Sequence, residues 1–262
     1  MNSSKRNLIS RHFFWNSNAQ VLIGPLLAIG CWWILEISNL TNPIFLPDIS
    51  DVIQALFILL TKSGFEDTLL TASRTLLSFS IALAIAVPLG VVLAIYPTLF
   101  RMSSGLVDFL RSIPAPAIFP IFLLIFGIGP EAKIAAAAFV AFWVLLVQTI
   151  HAIWHIPRIR MQVATVYQLS LWKKLIYLLV PQTLPEMITG SKIAISLSLI
   201  LIVVSEMFMT SNGGMGAVIL NSYMSFQTDV LYAGILLVGI IGFLLNKGMT
   251  LLENRYVHWA GR

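Results

Sequence analysis

Charge is what this chain has least of. Of its 262 residues only 10% are charged and 58% are hydrophobic, against roughly 25% and about 45–50% in soluble globular proteins. A polypeptide of that balance cannot cover a water-facing surface and is read as an integral membrane protein. Cysteine is scarcer still. Cys31 stands alone, which excludes an intrachain disulfide and a cysteine-rich metal site. There is no GxxxxGK[ST] loop to cradle a nucleotide, no GxSxG elbow for a nucleophile and no HExxH helix for zinc. The basic excess, a net charge of +5, gathers into neither patch nor stripe, so nucleic acid is not a predicted partner.

Long apolar runs are what the chain does have. They predict spans at about Val21–Ile37, Leu69–Ile95, Ile113–Ile128, Ala132–Ile153, Leu184–Met209 and Val230–Asn246. The expected fold is therefore an all-α polytopic membrane protein of about six helices. Residues 1–20 form a cytoplasmic tail and 21–262 the membrane domain. LAIGC, Leu27 to Cys31, resembles a lipoprotein cleavage site behind a basic N-terminus. The apolar run continues through Trp32, Trp33 and Ile34, which favours an uncleaved first span. With the N-terminus cytoplasmic, Lys5, Arg6, Arg11, Arg101, Arg111, Arg158, Arg160, Lys173, Lys174, Lys247, Arg255 and Arg262 fall inside. Lys62 and Lys133 fall outside, and Arg74 and Lys192 lie within spans, which accounts for all 16 basic residues. Positive-inside asymmetry holds in this orientation alone, so both termini are predicted to be cytoplasmic.

Between the first two spans, LPDISDVIQALFILLTKSGF predicts a helix that does not cross, lying either along the outer interface or against the bundle. Pro88 and Gly90 are expected to interrupt the second span. Pro114, Pro116 and Pro120 crowd the start of the third, a pattern expected of an element lining a pathway. Broken backbone at membrane depth is tolerated only where neighbours or a cavity satisfy it. No internal repeat is visible, which counts against the common secondary-carrier folds.

Ionisable residues inside spans cost at least ~2.5–3.5 kcal/mol each and are the first functional candidates. Arg74 and Glu206 lie at matching depths and are expected to pair, either to hold the bundle or to gate a pathway that Met207 adjoins. Asp108 and Arg111 are three residues apart on one helical face and predict a local pair. Lys192 is expected to snorkel towards the cytoplasm. His151 and His155 share a helical face but have no third ligand nearby, so they read as interfacial residues beside Trp154. GGMG, Gly213 to Gly216, reads as a turn.

After the fourth span, Ile156–Leu169 and Leu171–Val180 read as two short amphipathic helices joined at Gln168–Ser170, with Ser170 as N-cap of the second. Their basic residues place them in the cytoplasm. Val163, Tyr167, Leu171 and Trp172 form an apolar surface open to a partner groove or to anionic lipid.

Here the chain resembles the membrane-spanning permease subunits of type I, binding-protein-dependent ABC importers, whose fold is called MetI-like. Their cytoplasmic signature is E-A-A-x-x-x-G, nine residues, then I-x-L-P. With the last proline set on Pro181, Gln162 takes the Glu position, Val163 and Ala164 the Ala positions, Gln168 the Gly position, Leu178 the Ile position and Val180 the Leu position. The nitrate/sulfonate/taurine branch is the most similar. The likeness runs through LPDI at Leu46–Ile49, TASRTL at Thr71–Leu76, Pro88–Gly90, Asp108–Pro114, Phe126–Gly129, Ser205–Met207, Asn212–Gly216 and the LLENRYVHW tail.

The resemblance implies two permeases, identical or paralogous, each holding a cytoplasmic ATPase that carries ATP and Mg, with a periplasmic or lipid-anchored solute-binding protein outside. Alternating access in a bacterial inner membrane would move a small oxyanion or organic anion. No cofactor would bind this chain itself. Coupling would run through residues 156–181, with Ala164 tight against the ATPase groove. Holding Gln168 left-handed would cost roughly 1–3 kcal/mol, so a reshaped turn is expected there. The competing readings are a secondary carrier and an intramembrane enzyme.

Overall fold

The computed structural model describes residues 17–38, 42 and 44–257. The expected N-terminal tail lies mostly outside them. Every regular element among the described residues is helical.

The centre is built from α3 (Phe65–Ile95), α6 (Pro130–Trp154) and α9 (Val180–Phe208). They meet because α6 carries a small-residue face. Ala132, Ala136, Ala137, Ala138 and Ala141 are all buried, and small residues let helix backbones approach where apolar attraction alone cannot drive association in lipid. Gly90 on α3 shows how close the approach is, since a Cβ there would stand 2.7 Å from the Thr149 side chain. Leu145, Leu146 and Ile150 fill the space beside Phe79, Ala86 and Ile195. The expected interruption at Pro88 and Gly90 does not occur. α3 runs unbroken for 31 residues with Pro88 inside it, and the glycine serves packing.

The third expected span is also corrected. α4 (Pro97–Arg111) and α5 (Ala115–Phe126) are separate helices bent by 96°. With 12 residues, α5 is about 18 Å long, short of the ~30 Å hydrocarbon layer. The bend sits at Ser112–Pro114 because a residue preceding proline avoids the helical region. Among the described residues four helices are long and apolar enough to cross, and the bent pair makes five. α1 (Ser17–Ile37) is the candidate for the first expected span, its described apolar part running from Ile23. It is fastened near its end by the Trp32 indole, which donates to the Pro47 carbonyl at 3.2 Å and packs on Tyr232.

The segment between the first two spans folds as α2 (Ile49–Ile58), closed by a π-turn at Leu59–Ser63. It packs on the bundle: Val52, Ala55 and Leu59 are buried beside Ala233, Leu237 and Ile241 of the last long helix, Thr228–Tyr256. Its other face leaves Ile53 and Phe57 exposed. A short helix at Met215–Met224 joins the same cluster through Met215. In chain order, α7 is Arg158–Val166, α8 is Leu171–Lys174, α10 is Met215–Met224 and α11 is Thr228–Tyr256.

Candidate functional site

One end of the bundle holds a buried ionic lock. Arg74 on α3 donates Nη1 to Glu206 Oε1 on α9 at 2.7 Å, so the expected pair is formed. The guanidinium also grips the turn after α9, donating to the carbonyls of Gly213 at 3.0 Å and Asn212 at 2.7 Å. Glu206 is fully buried and accepts two further bonds at Oε2, from the Thr71 hydroxyl at 2.8 Å and the Gly216 amide at 3.1 Å. Thr71 accepts from the Met215 amide, and Asp67 from the Gly214 amide. Lys133, expected outside, is completely buried in the first turn of α6 and donates to the Met209 carbonyl at 2.9 Å.

Three carbonyls and three amides between Met209 and Gly216 are thus held by five side chains from α3, α6 and α9. Of GGMG, expected to be a turn, Gly213 and Gly214 make the turn, while Met215 and Gly216 begin α10. The turn's backbone needs glycine at 214, where φ is +110° and a Cβ would overlap the Glu206 carboxylate. Pairing satisfies the charges, and the low-dielectric site makes every bond in the network depend on the others. Sequence reading found Arg74 and Glu206 but missed Asp67, Thr71 and Lys133. The i, i+4, i+7 spacing of Asp67, Thr71 and Arg74 was the available signal. Met207, the next residue on α9, is only partly buried.

Near mid-bundle, the bend between α4 and α5 borders a cavity of about 580 Å³. Arg111, Ser112, Ile113 and Ala115 line it with Phe139, Trp143 and Gln148 of α6. Pro114 caps the start of α5 and so shapes this wall. Asp108 and Arg111 form the expected local pair at 3.2 Å, and both are largely exposed. Trp143 and Gln148 gave no sequence signal, because a single aromatic or amide on an apolar helix reads as packing.

At the opposite end, α6 stops at Trp154 and α7 follows. Successive residues advance 100° around a helix, so Ile159, Val163 and Val166 share the face opposite Met161 and Ala164. Burial agrees: the first three are exposed, while Ala164 is only 4% exposed. The tight ATPase contact expected of Ala164 is therefore corrected. Its small side chain is buried on the inward side of α7, away from the exposed stripe. Gln162 is exposed beside the stripe.

Gln168 also departs from expectation. Its φ is +48°, so the left-handed turn is kept with glutamine in place. The Leu169 amide donating to the Ala164 carbonyl, and the Gln168 amide to that of Thr165, close the helix end and hold it. Ser170 occupies the N-cap position of α8, with no side-chain cap bond. α8 is not a separate helix. It passes through a π-turn at Leu175–Leu179 into α9, giving one helix from Leu171 to Phe208. Pro181 lies inside this helix; its absent N–H and its ring disturb the carbonyls one turn earlier, where the π-turn occurs. Tyr167, Leu171 and Trp172 are exposed by 63–79% along with Val166.

Lys192 is partly buried on α9. It pairs with Glu253 of α11 at 2.6 Å. His155 lies 3.2 Å from Glu186 and His151 stacks near Trp154. No group of three metal-capable side chains exists among the described residues.

A helical bundle with a buried lock at one end, a mostly apolar cavity at a broken helix and an apolar surface at the other end has the parts of a membrane permease. The chain belongs to the family described as binding-protein-dependent transport system inner membrane component, whose profile matches residues 86–258. It is similar to the taurine transport system permease protein TauC of Escherichia coli K12, at 27% identity over 94% of this chain and 93% of that one. The bicarbonate transport system permease protein CmpB of Synechococcus elongatus is 31% identical over 74% and 70%. The nitrate import permease protein NrtB of Leptolyngbya laminosa is 30% identical over 70% and 66%. The fold is that of a chain in an inward-facing MetNI methionine ABC transporter structure, with a TM-score of 0.66 at 20% identity, covering 78% of this chain and 98% of that one. The protein is accordingly a multi-pass inner-membrane permease subunit of an ABC importer and not an enzyme; ATP hydrolysis belongs to a partner ATPase.

Proposed function

We infer that this permease imports a small oxyanion or organic anion of the taurine, sulfonate, nitrate or bicarbonate class, the solutes named for its relatives. Two copies, or this chain and a paralogue, enclose the pathway. A solute-binding protein delivers from the Glu206 side, and each ATPase, carrying ATP and Mg, docks at the Trp172 side. Both chain termini are cytoplasmic, and lipid surrounds the apolar flanks.

The observation that carries the reading is the single helix from Leu171 to Phe208, which bears the exposed coupling surface at one end and Glu206 of the lock at the other. Gln162, Val163, Tyr167, Gln168, Leu171 and Trp172 form the ATPase surface, while Pro181 and its π-turn set the angle at which it is offered. Arg74 and Glu206, with Met207 beside them, form the outer gate. Asp108 and Pro114 belong to the pathway wall at the cavity. ATP-driven closure of the partner subunits moves the helix and biases the pathway between its two openings.

The test is uptake of labelled taurine, an alkanesulfonate, nitrate and bicarbonate into proteoliposomes holding permease, ATPase and binding protein. One of these solutes is expected to accumulate only with internal ATP. Accumulation that persists when the ATPase P-loop lysine is replaced by alanine would overturn the reading in favour of a secondary carrier.

A further inference from the structure

The surface at the Trp172 end has a charge character that specifies its partner. From Ala132 to Pro185 the chain contains no acidic residue, yet Arg158, Arg160, Lys173 and Lys174 fall in the middle of that stretch. None of these four forms an ion pair among the described residues. Arg158, Arg160 and Lys173 are exposed, whereas Lys174 is partly buried and lines a small cavity with Leu171 and Leu175 under the segment. The three exposed cations therefore stand unpaired around the apolar stripe of Ile159, Val163 and Val166 and the adjoining Tyr167, Leu171 and Trp172.

The direction of the stripe selects the class of partner. It lies on the face of α7 opposite Met161 and Ala164, which pack inward, so it points away from the bundle. A segment lying on lipid would turn its apolar residues towards the membrane and the bundle end. Exposed apolar side chains turned the other way, ringed by cations, fit a protein groove.

Resting on the proposed docking of an ATPase at this end, we propose that the groove receiving α7 and α8 has an apolar floor and an acidic rim, with carboxylates facing Arg158, Arg160 and Lys173. The neutral Gln162 contributes no charge to the match. Rim charges of this kind act on association rate and partner choice, so they decide which ATPase this permease accepts, while Trp172 and Leu171 supply the buried contact. A groove whose rim is basic is rejected by like-charge juxtaposition.

The experiment measures binding of the purified ATPase subunit of the same transporter to the full permease in nanodiscs. Neutral and anionic discs are used, at low and high salt. Wild type is expected to bind with an affinity that falls as salt rises. Arg158→Glu with Arg160→Glu and Lys173→Glu, all at exposed positions, is expected to weaken binding by about tenfold or more. Lysine substitutions at the facing carboxylates of the ATPase are expected to restore it. Lys173→Glu alone gives a smaller loss in the same direction.

If Trp172→Asp abolishes binding while the triple reversal leaves it unchanged, the acidic rim is overturned and the docking reading stands. If the effect of reversal appears only in anionic discs, the cations face lipid and the proposal is overturned. If the wild type binds no ATPase and Trp172→Asp changes nothing, the docking reading itself fails.

Discussion

Replacing Glu206 by alanine should destabilise the permease by about 3–5 kcal/mol, because it strands a buried guanidinium. Arg74 keeps the Asn212 and Gly213 carbonyls, which places the expected loss in the lower half of that range. The Thr71 hydroxyl and Gly216 amide lose their acceptor, at about 1 kcal/mol each, and offset part of that relief. Replacing both charged partners, Arg74→Met with Glu206→Ala, removes the uncompensated charge. That pair is expected to recover about 2 kcal/mol relative to the sum of the single losses, since the turn carbonyls stay unpaired. Titration with denaturing detergent in mixed micelles reads all four corners of the cycle. Additive losses, or a Glu206→Ala variant within about 1 kcal/mol of wild type, would refute the reasoning. The same variants separate the two roles of the pair. A structural pair predicts that the double variant regains uptake along with stability. A gate predicts that stability returns while uptake does not.

Gln168→Gly should raise stability by no more than about 1 kcal/mol, since relief of the left-handed strain is partly cancelled by glycine's greater freedom when unfolded; thermal unfolding in detergent checks it, and a clear loss would mean that the glutamine side chain holds the turn. Gly90→Leu should prevent folding or cost at least about 3 kcal/mol, because its side chain would enter Thr149 and the Leu146 carbonyl; normal yield of a monodisperse protein would count against the close helix contact. Lys192→Met should cost about 1 kcal/mol, as the Lys192–Glu253 pair is only partly buried, and Glu253→Gln added to it should cost little more.

What the sequence disclosed depended on whether a residue's chemistry is unusual for its surroundings. A lone Arg and a lone Glu inside apolar runs stand out, and matching depth sufficed to pair Arg74 with Glu206. Lys133 sits close to a span boundary, where a basic residue reads as interfacial, and only the fold shows it reaching inward to Met209. Prolines marked places where backbone bonds are missing without saying how the chain responds. Pro88 is absorbed into α3, Pro114 breaks the chain by a right angle, and Pro181 sits behind a π-turn. The difference lies in the neighbours: Pro114 keeps Ile113 out of the helical region, and Pro114 and Pro116 offer no amides to the last carbonyls of α4. Gln168 was misjudged because a strain of one residue was weighed without the two backbone bonds that close the turn.

The continuity of Leu171–Phe208 turns the fold into a mechanical statement. Trp172 and Glu206 are 34 residues apart along one helix, about 51 Å of rise. A displacement at the first can reach the second only if the helix between them stays stiff. Lys192 to Glu253 and Asn246 to Ser196 tie its middle to α11, so the two helices should move together. Ile193 and Ile200 lie on the exposed side, where glycine removes no core contact and costs about 1 kcal/mol each in helix propensity. Ile193→Gly with Ile200→Gly should therefore leave ATPase binding and hydrolysis in place while uptake per ATP falls. Measuring hydrolysis and uptake in the same proteoliposomes decides the matter. An unchanged ratio would show that the two ends communicate by another route, through α6 or the second permease, and that this helix is only a scaffold.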